Sequence, residues 1–241
     1  MKFSIIVEAR FNSSRLPGKI LYKIGKYSFL EFLIKRLKLV KNSKNIIIAT
    51  TDTKENEKII KVAKKLKVNF FKGSENDVLH RVIFAAKKFR SEYIIRITSD
   101  CPLVDPEIID QAILNFKNNK CDYLSNVNQR SFPDGMDIEI FSLKALIRSK
   151  KFAITKKHKE WTTWSIRKNP KKFKIINFIA PESMYWPKLA LTLDEYNDLI
   201  FLKKLIIKLK ENYKVKCDEI IRVLKKNKSL LKINKHVKRK Y

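Results

Sequence analysis

Along this chain, short runs of branched and aromatic apolar residues alternate with stretches in which apolar residues return every three or four positions. The runs are Phe3-Ser-Ile-Ile-Val7, Ile46-Ile-Ile-Ala-Thr50, Val68-Asn-Phe-Phe71 and Tyr93-Ile-Ile-Arg-Ile97. Between and after them, Leu30, Leu33, Ile34 and Leu37, then Ile59, Val62, Ala63 and Leu66, then Leu79, Val82, Ile83 and Ala86, and then Ile109, Ala112, Ile113 and Phe116 each mark one face of a helix. A strand that is apolar at successive positions is buried on both faces, and a helix after such a strand carries the chain back over the sheet. The pattern predicts an α/β fold with a mostly parallel central sheet and helices on both sides. A chain of 241 residues is long enough to bury that core.

The alternation loosens after Asp122-Tyr-Leu-Ser125, itself read as a strand. Residues 126–137, with Pro133-Asp-Gly135, read as an irregular excursion over the carboxyl edge of the sheet that returns as a strand over Ile138 to Phe141. Helices are expected near Leu143 to Ser149 and around Lys159 to Arg167, an edge strand over Phe173 to Phe178, and a further strand over Leu189 to Leu193 that ends at Asp194. Leu199, Leu202, Ile206 and Leu209 mark a long helix, and Glu219 to Leu224 the start of a short one. The tail from Lys225 is basic and weakly patterned and is expected to fray. The chain divides on this reading into a main domain over residues 1–212 and a basic helical extension over residues 213–241.

The formal net charge of +30 invites a nucleic-acid reading. Against it, the lysines are spread over nearly every expected helix instead of one face, so the charge reads better as a diffuse field that draws in small anions. No apolar run approaches the roughly 18 residues needed to span a bilayer. The first residues lead into a strand and not a leader peptide, so no membrane partner is expected and the cytoplasm is the expected location. Cys101, Cys121 and Cys217 are too far apart for a zinc site or a disulfide framework.

The loop after the first strand carries Arg10, Arg15 and Lys19 as cations, Ser13 and Ser14 as hydroxyl donors, and Pro17-Gly18 as a turn that lets backbone approach a ligand. A cationic, donor-rich loop at the carboxyl end of a buried parallel strand suits a nucleoside triphosphate. Asp100 and Asp194 each follow a predicted strand directly, which puts them at the same edge. Two carboxylates among arginines and lysines suit a magnesium ion (Mg2+), which prefers a few carboxylates together with phosphate and water.

In one order the chain carries Ala9-Arg10-x-x-Ser13-x-Arg15-Leu-Pro-Gly18-Lys19, Asp77-Val-Leu-x-Arg81, Arg96-x-Thr98-x-Asp100-Cys-Pro-Leu-x-Asp105-Pro106, Ser125-Asn126 and Pro133-x-Gly135-x-Asp137-x-Glu139. Together these resemble the acylneuraminate/Kdo cytidylyltransferase superfamily, and within it the spore-coat polysaccharide type, over about residues 3 to 205. The resemblance implies a three-layer nucleotide-diphospho-sugar transferase fold of the GT-A, Rossmann-like type. It implies a metal-dependent cytidylyltransferase that moves CMP from CTP to a sugar acid with release of pyrophosphate, for surface polysaccharide or glycan assembly. Arg10, Lys19 and Asp100 then carry the catalysis. Ala9, Arg10, Ser13, Arg15, Gly18, Lys19, Asp77, Arg81 and Thr98 bind the nucleotide, Asn126, Asp137 and Glu139 meet the acceptor, and Asp100 with Asp194 holds Mg2+. A homodimer is a further implication.

The chain departs from the family pattern in places. Glu8 stands where Gln is common, which puts a negative charge near the phosphate loop. Lys159-Glu160-Trp161-Thr162-Thr163 occupies the place of an Arg-Glu-His-x-Thr motif, so Trp161 replaces the His. Ala190 and Tyr196 replace a basic residue and a Pro around the second metal segment. These changes leave open a different base, a sugar-phosphate or polyol-phosphate acceptor, or a non-catalytic nucleotide-binding partner. A basic nucleic-acid-binding protein is the reading from another class.

Overall fold

In the computed structural model, which describes residues 1–239, the first strand, β1 (Phe3–Glu8), is an interior strand, third in order, of a seven-stranded sheet. Its side chains divide between two cores: Ile5 and Val7 join one apolar cluster, and Ile6 joins the cluster on the opposite face. After a long loop come a small hairpin, β2 (Lys23–Ile24) with β3 (Tyr27–Ser28), and helix α1 (Phe29–Leu37). Ser28 and Glu31 exchange side-chain and backbone hydrogen bonds in a capping box that fixes where α1 begins. The alternation continues through β4 (Asn45–Thr51), α2 (Glu57–Lys65), β5 (Asn69–Gly73), α3 (Val78–Lys88) and β6 (Tyr93–Thr98). It then runs through α4 (Pro106–Asn119), β7 (Tyr123–Ser125), β8 (Glu139–Ser142), α5 (Leu143–Ser149), α6 (Lys156–Glu160), α7 (Trp164–Arg167) and β9 (Ile175–Asn177). Helices α8 (Tyr196–Lys208), α9 (Cys217–Lys226) and α10 (Lys228–Leu231) complete the elements used below.

The strand order is β5-β4-β1-β6-β8-β7-β9. β1 pairs in parallel with β4 and β6, and β7 with β9, while β8 runs antiparallel to both β6 and β7. The reversal follows from the excursion between β7 and β8, which returns the chain without a crossover helix. Residues of α1, α4, α8 and α9 fill the cluster on one face, and residues of α3 and α5 fill the other. This is the expected mostly parallel three-layer α/β fold.

Three expectations about local structure are corrected. Residues 189–193 are extended but form no strand of the sheet. Their backbone partners are loops: Asp134 N donates to Leu189 O at 2.8 Å, Leu191 N to Asp134 O at 2.7 Å, and Leu193 N to Asp100 O at 2.8 Å. The helix expected over residues 159–167 is divided, with α6 ending at Glu160 and α7 beginning at Trp164. The break falls where the Thr162 and Thr163 hydroxyls turn down to buried carboxylates. The tail does not fray through its described part. α9 docks where Cys217 N donates to Asp105 Oδ2 at 2.6 Å, and Asn234 Nδ2 reaches Asp198 Oδ1 at 3.0 Å. The fully buried Arg36 adds a tie from α1, donating to Val104 O and Tyr213 O at 2.9 Å each and to Leu103 O at 3.1 Å.

Candidate active site

A cleft of about 490 Å³ opens at the carboxyl ends of β1 and β6. Its first wall is the loop after β1. Phe11 N donates to the Asn56 side chain at 2.9 Å, and Gly18 N donates back to Phe11 O at 2.8 Å, so the loop is closed on itself. Gly18 has φ of 68°, and a Cβ there would lie 2.9 Å from the Phe11 ring, so both conformation and space call for glycine. The next residue, Lys19, starts a short 3-10 turn anchored by buried Ile20. Ala9, Arg10, Ser13, Arg15 and Lys19 all line the cleft, while Gly18 shapes the loop without lining it.

The second wall brings the two carboxylates together. Lys19 Nζ lies 3.3 Å from Asp100 Oδ2 and 3.2 Å from Asp194 Oδ1. Arg15 adds Nη2 to Asp194 Oδ1 at 2.7 Å and Nη1 to Glu195 Oε1 at 3.3 Å. The backbone bond from Leu193 N to Asp100 O holds the two acidic segments side by side. Burial works against ionisation of Asp100, but Lys19 and the Thr98 hydroxyl overcome it and hold the carboxyl below its ordinary value. Asp100 and Asp194 thus face each other across one cation that already spans them. No third His, Cys, Asp or Glu completes a metal cluster among the described residues. Two carboxylates facing one cation fit an ion that takes the rest of its shell from phosphate and water.

Along the cleft wall formed by Glu8, Arg96 and Glu139 runs an ionic network. Arg96, in the middle of β6, forks onto Glu8 (Nε to Oε1 2.8 Å, Nη2 to Oε2 2.7 Å) and donates through Nη1 to Glu139. Thr162 Oγ1 donates to Glu8 at 2.6 Å, and the Tyr123 and Thr163 hydroxyls donate to Glu139. Burial opposes the charge on both Arg96 and Glu139; Glu8 and then Glu139 outweigh it at Arg96, and Arg96 outweighs it at Glu139, so Arg96 stays firmly protonated and the Glu139 carboxyl lies below its usual range. The negative charge that Glu8 brings to this edge is therefore directed at Arg96, which it shares with Glu139, and not at the loop. Trp161 lines the cleft beside these ties.

The remaining expected site residues part company. Arg81 lines the cleft, and its Nε is buried without a hydrogen-bond partner. Asp77 caps α3 by accepting from His80 N at 2.8 Å and does not line the cleft. Thr98 lines it beside Asp100. Of the acceptor set, Asp137 and Glu139 line the cleft, Glu139 with only 4% of its side chain exposed. Asn126 is not brought to it: its side chain accepts from Ile138 N at 2.8 Å and donates to Met136 O at 2.7 Å, closing the base of the excursion. Gly135, at the tip, has φ of 103°, and a Cβ there would sit 2.8 Å from the Leu191 backbone, so glycine permits the excursion to pack on the segment leading to Asp194.

Sequence reasoning gives no role to Arg96 and Asp134, although both stand in the motifs, and passes over Arg130 and Arg239. Arg130 Nη1 lies 3.3 Å from Asp134 Oδ1 and 3.2 Å from Asp137 Oδ1. Burial, then the neighbouring Asp137, pushes the Asp134 carboxyl up to about 6. Arg239, from the far end of the chain, forks onto Asp198 at 2.7 and 3.0 Å and reaches Asp194 Oδ2 at 3.5 Å. A signal existed for Arg96, since an arginine inside a buried apolar strand requires a buried counter-charge. Arg239 offers none, because nothing local distinguishes it in a basic tail.

Comparison with known proteins agrees with this geometry. Residues 4–237 match the family model described as Cytidylyltransferase. The chain is 33% identical over 229 residues to the spore coat polysaccharide biosynthesis protein SpsF of Bacillus subtilis, covering 92% of this chain and 93% of that one. Among solved structures, a cytidylyltransferase from Leptospira borgpetersenii superposes with a TM-score of 0.92 at 34% identity, covering 100% of this chain and 99% of that one. A CMP:2-keto-3-deoxy-manno-octonic acid synthetase complexed with CTP shares the fold, with a TM-score of 0.64 at 12% identity over 87% of this chain and 100% of that one. The chain belongs to the cytidylyltransferase family and is a nucleotidyltransferase.

Proposed function

We propose that this enzyme transfers CMP from CTP to a hydroxyl of a sugar acid, releasing pyrophosphate, in the assembly of a surface polysaccharide or glycan. The observation that carries the reading is the single ammonium of Lys19 within 3.3 Å of both Asp100 and Asp194. It puts the phosphate-loop cation and the two acidic side chains at one point. Support for the acceptor class comes from the names of the relatives and from Arg130 and Arg167, guanidinium groups lining the same cleft and of the kind that pairs with carboxylates.

In the reaction the acceptor hydroxyl oxygen bonds to the α-phosphorus while its proton passes to water, the bond from α-phosphorus to the bridging oxygen breaks, and negative charge grows on the departing pyrophosphate. Arg10, Arg15 and Lys19 hold the triphosphate and neutralise that charge in place. Ala9 and Ser13 offer backbone and hydroxyl contacts beside them, and the buried Nε–H of Arg81 is a donor that a nucleotide acceptor atom satisfies. Asp100 and Asp194 are the residues that would hold Mg2+, which when bound supplies Lewis-acid charge to the phosphate oxygens and lowers the pKa of a hydroxyl close by. Asp137, its carboxyl raised by burial though opposed by Arg130, faces the acceptor side.

The test is pyrophosphate release from each of the four nucleoside triphosphates with Mg2+ and a panel of sugar acids, sugar phosphates and polyol phosphates. CTP-dependent release with a sugar acid is expected. Release that prefers another base or a phosphorylated acceptor, or CTP binding with no turnover on any acceptor, contradicts it.

A further inference from the structure

The carboxylate of Asp194 meets three cations, and they are held in different ways. Arg15 and Lys19 come from the phosphate loop and reach Asp194 Oδ1 at 2.7 and 3.2 Å. If a triphosphate enters the cleft, these are the groups it draws, and each can exchange one carboxylate oxygen for a phosphate oxygen at little cost. Arg239 approaches the other oxygen, Oδ2, at 3.5 Å. Its guanidinium is fixed elsewhere: Nη2 to Asp198 Oδ1 at 2.7 Å, Nη1 to Asp198 Oδ2 at 3.0 Å and to the Thr192 hydroxyl at 3.1 Å.

Asp198 is fully buried and is itself anchored, since its Oδ2 accepts from the backbone N–H groups of both Asp194 and Glu195 at 3.0 Å. The forked pair therefore locks Arg239 to the turn that carries Asp194. The tail that delivers it is tied down as well, by Asn234 Nδ2 on Ala190 O at 3.2 Å and on Asp198 Oδ1 at 3.0 Å. Only 10% of the Arg239 side chain is exposed. The family match ends at residue 237, so this arginine lies outside the region that the family model describes.

We propose that Arg239 is a positioning residue for Asp194. When substrate phosphates take Arg15 and Lys19 away, Arg239 remains as the counter-ion on the Oδ2 side and keeps Oδ1 turned toward the cleft and the divalent cation. The inference rests on the reading of Asp100 and Asp194 given above. It divides the cations of the site into an exchangeable pair from the amino-terminal loop and a fixed one from the carboxyl-terminal tail.

The experiment compares the full-length wild type with Arg239→Gln and Arg239→Lys. Mn2+ binding is followed by electron paramagnetic resonance at saturating CTP without acceptor, CTP binding in EDTA by calorimetry, and folding by thermal melting. Arg239→Gln is expected to weaken Mn2+ binding about tenfold, in the range seen when a group that orients a metal ligand is removed. CTP binding in EDTA stays at the wild-type value, and Arg239→Lys, which keeps the charge but not the fork, gives an intermediate loss. Should Arg239→Gln fail to fold, the lysine variant carries the comparison alone. Unchanged Mn2+ affinity in a folded variant overturns the inference, with or without a lowered melting temperature. Equal losses of CTP binding with and without metal overturn it too, since they make Arg239 a phosphate ligand. Wild-type protein that binds neither CTP nor Mn2+ overturns the reading of the site itself, and this inference with it.

Discussion

Two groups of charges lie a few residues apart at the carboxyl edge of the sheet, and they are built in opposite ways. Around Lys19, Arg15, Asp100 and Asp194 the ion pairs are partly open to solvent, with side chains from 12% to 29% exposed. Around Arg96 the exposures are 18% for Arg96, 10% for Glu8 and 4% for Glu139, and each carboxylate takes hydroxyl donors as well as the guanidinium: Glu8 from Arg96 and Thr162, Glu139 from Arg96, Tyr123 and Thr163. A charge that exchanges partners for a ligand is held by ion pairs that another anion can replace. A charge that fixes the segments around it is held by hydroxyls from other elements as well. The motif region contains both kinds, so belonging to a motif does not by itself say which residues meet substrate.

The sharpest way to break the contrast is Arg96→Ala. It leaves Glu8 and Glu139 buried with no counter-ion, and a stability loss of about 3–5 kcal/mol is expected by denaturant unfolding. Lys19→Ala should do the reverse. Without Lys19, Asp194 keeps Arg15 and Arg239, and Asp100, 29% exposed, turns to water, so unfolding free energy falls by less than about 1 kcal/mol. Removal of a preorganised cation from the reacting phosphates lowers kcat/KM for CTP about 100- to 1,000-fold. A large loss of stability in Lys19→Ala, or a stable and inactive Arg96→Ala, reverses the assignment of the two regions.

Asp134 lines the cleft but is buried like the deeper network, and it gives a test that depends on pH. Its folded carboxyl titrates near 6 against an ordinary 3.8. The folded state therefore holds the proton more tightly than the unfolded chain. The associated stability is fully present below the unfolded value and is lost as pH rises through about 6. Asp134→Asn is accordingly expected to be near neutral at pH 4 and increasingly stabilising up to pH 7.5, by at most about 3 kcal/mol, in melts across that range. A gain that shrinks as pH rises contradicts the sign. The smallest effect is expected from Glu8→Gln. It turns a buried carboxylate–guanidinium–carboxylate set, net negative, into a neutral pair that keeps its shape, so unfolding should change by less than about 1 kcal/mol.

What the sequence made legible follows from how local each signal was. β1, its loop and Asp100 were readable because apolar runs and turn residues act over a few positions, and the convergence of Lys19 with Asp100 follows from two neighbouring parallel strands ending at one edge. Asp194 was placed correctly although its segment is no strand, because its backbone is extended by loop partners at Asp134 and Asp100. Asn126 was read toward the acceptor, but an asparagine beside an excursion closes the turn as readily as it binds a ligand. The division of residues 156–167 into two helices depends on Glu8 and Glu139, more than a hundred and more than twenty residues away, respectively. Arg239 depends on Asp198, 41 residues earlier. Contacts of that separation leave no periodicity behind.

The central claim is that the basic turn after β1 and the carboxylates of Asp100 and Asp194 act on one nucleotide. A crystal structure of the protein with CTP and Mg2+ tests it most directly. The expected result is a triphosphate in contact with Arg10, Arg15 and Lys19, and one cation touching both Asp100 and Asp194. A triphosphate seated away from that loop, or a cation that leaves either aspartate unengaged, contradicts it.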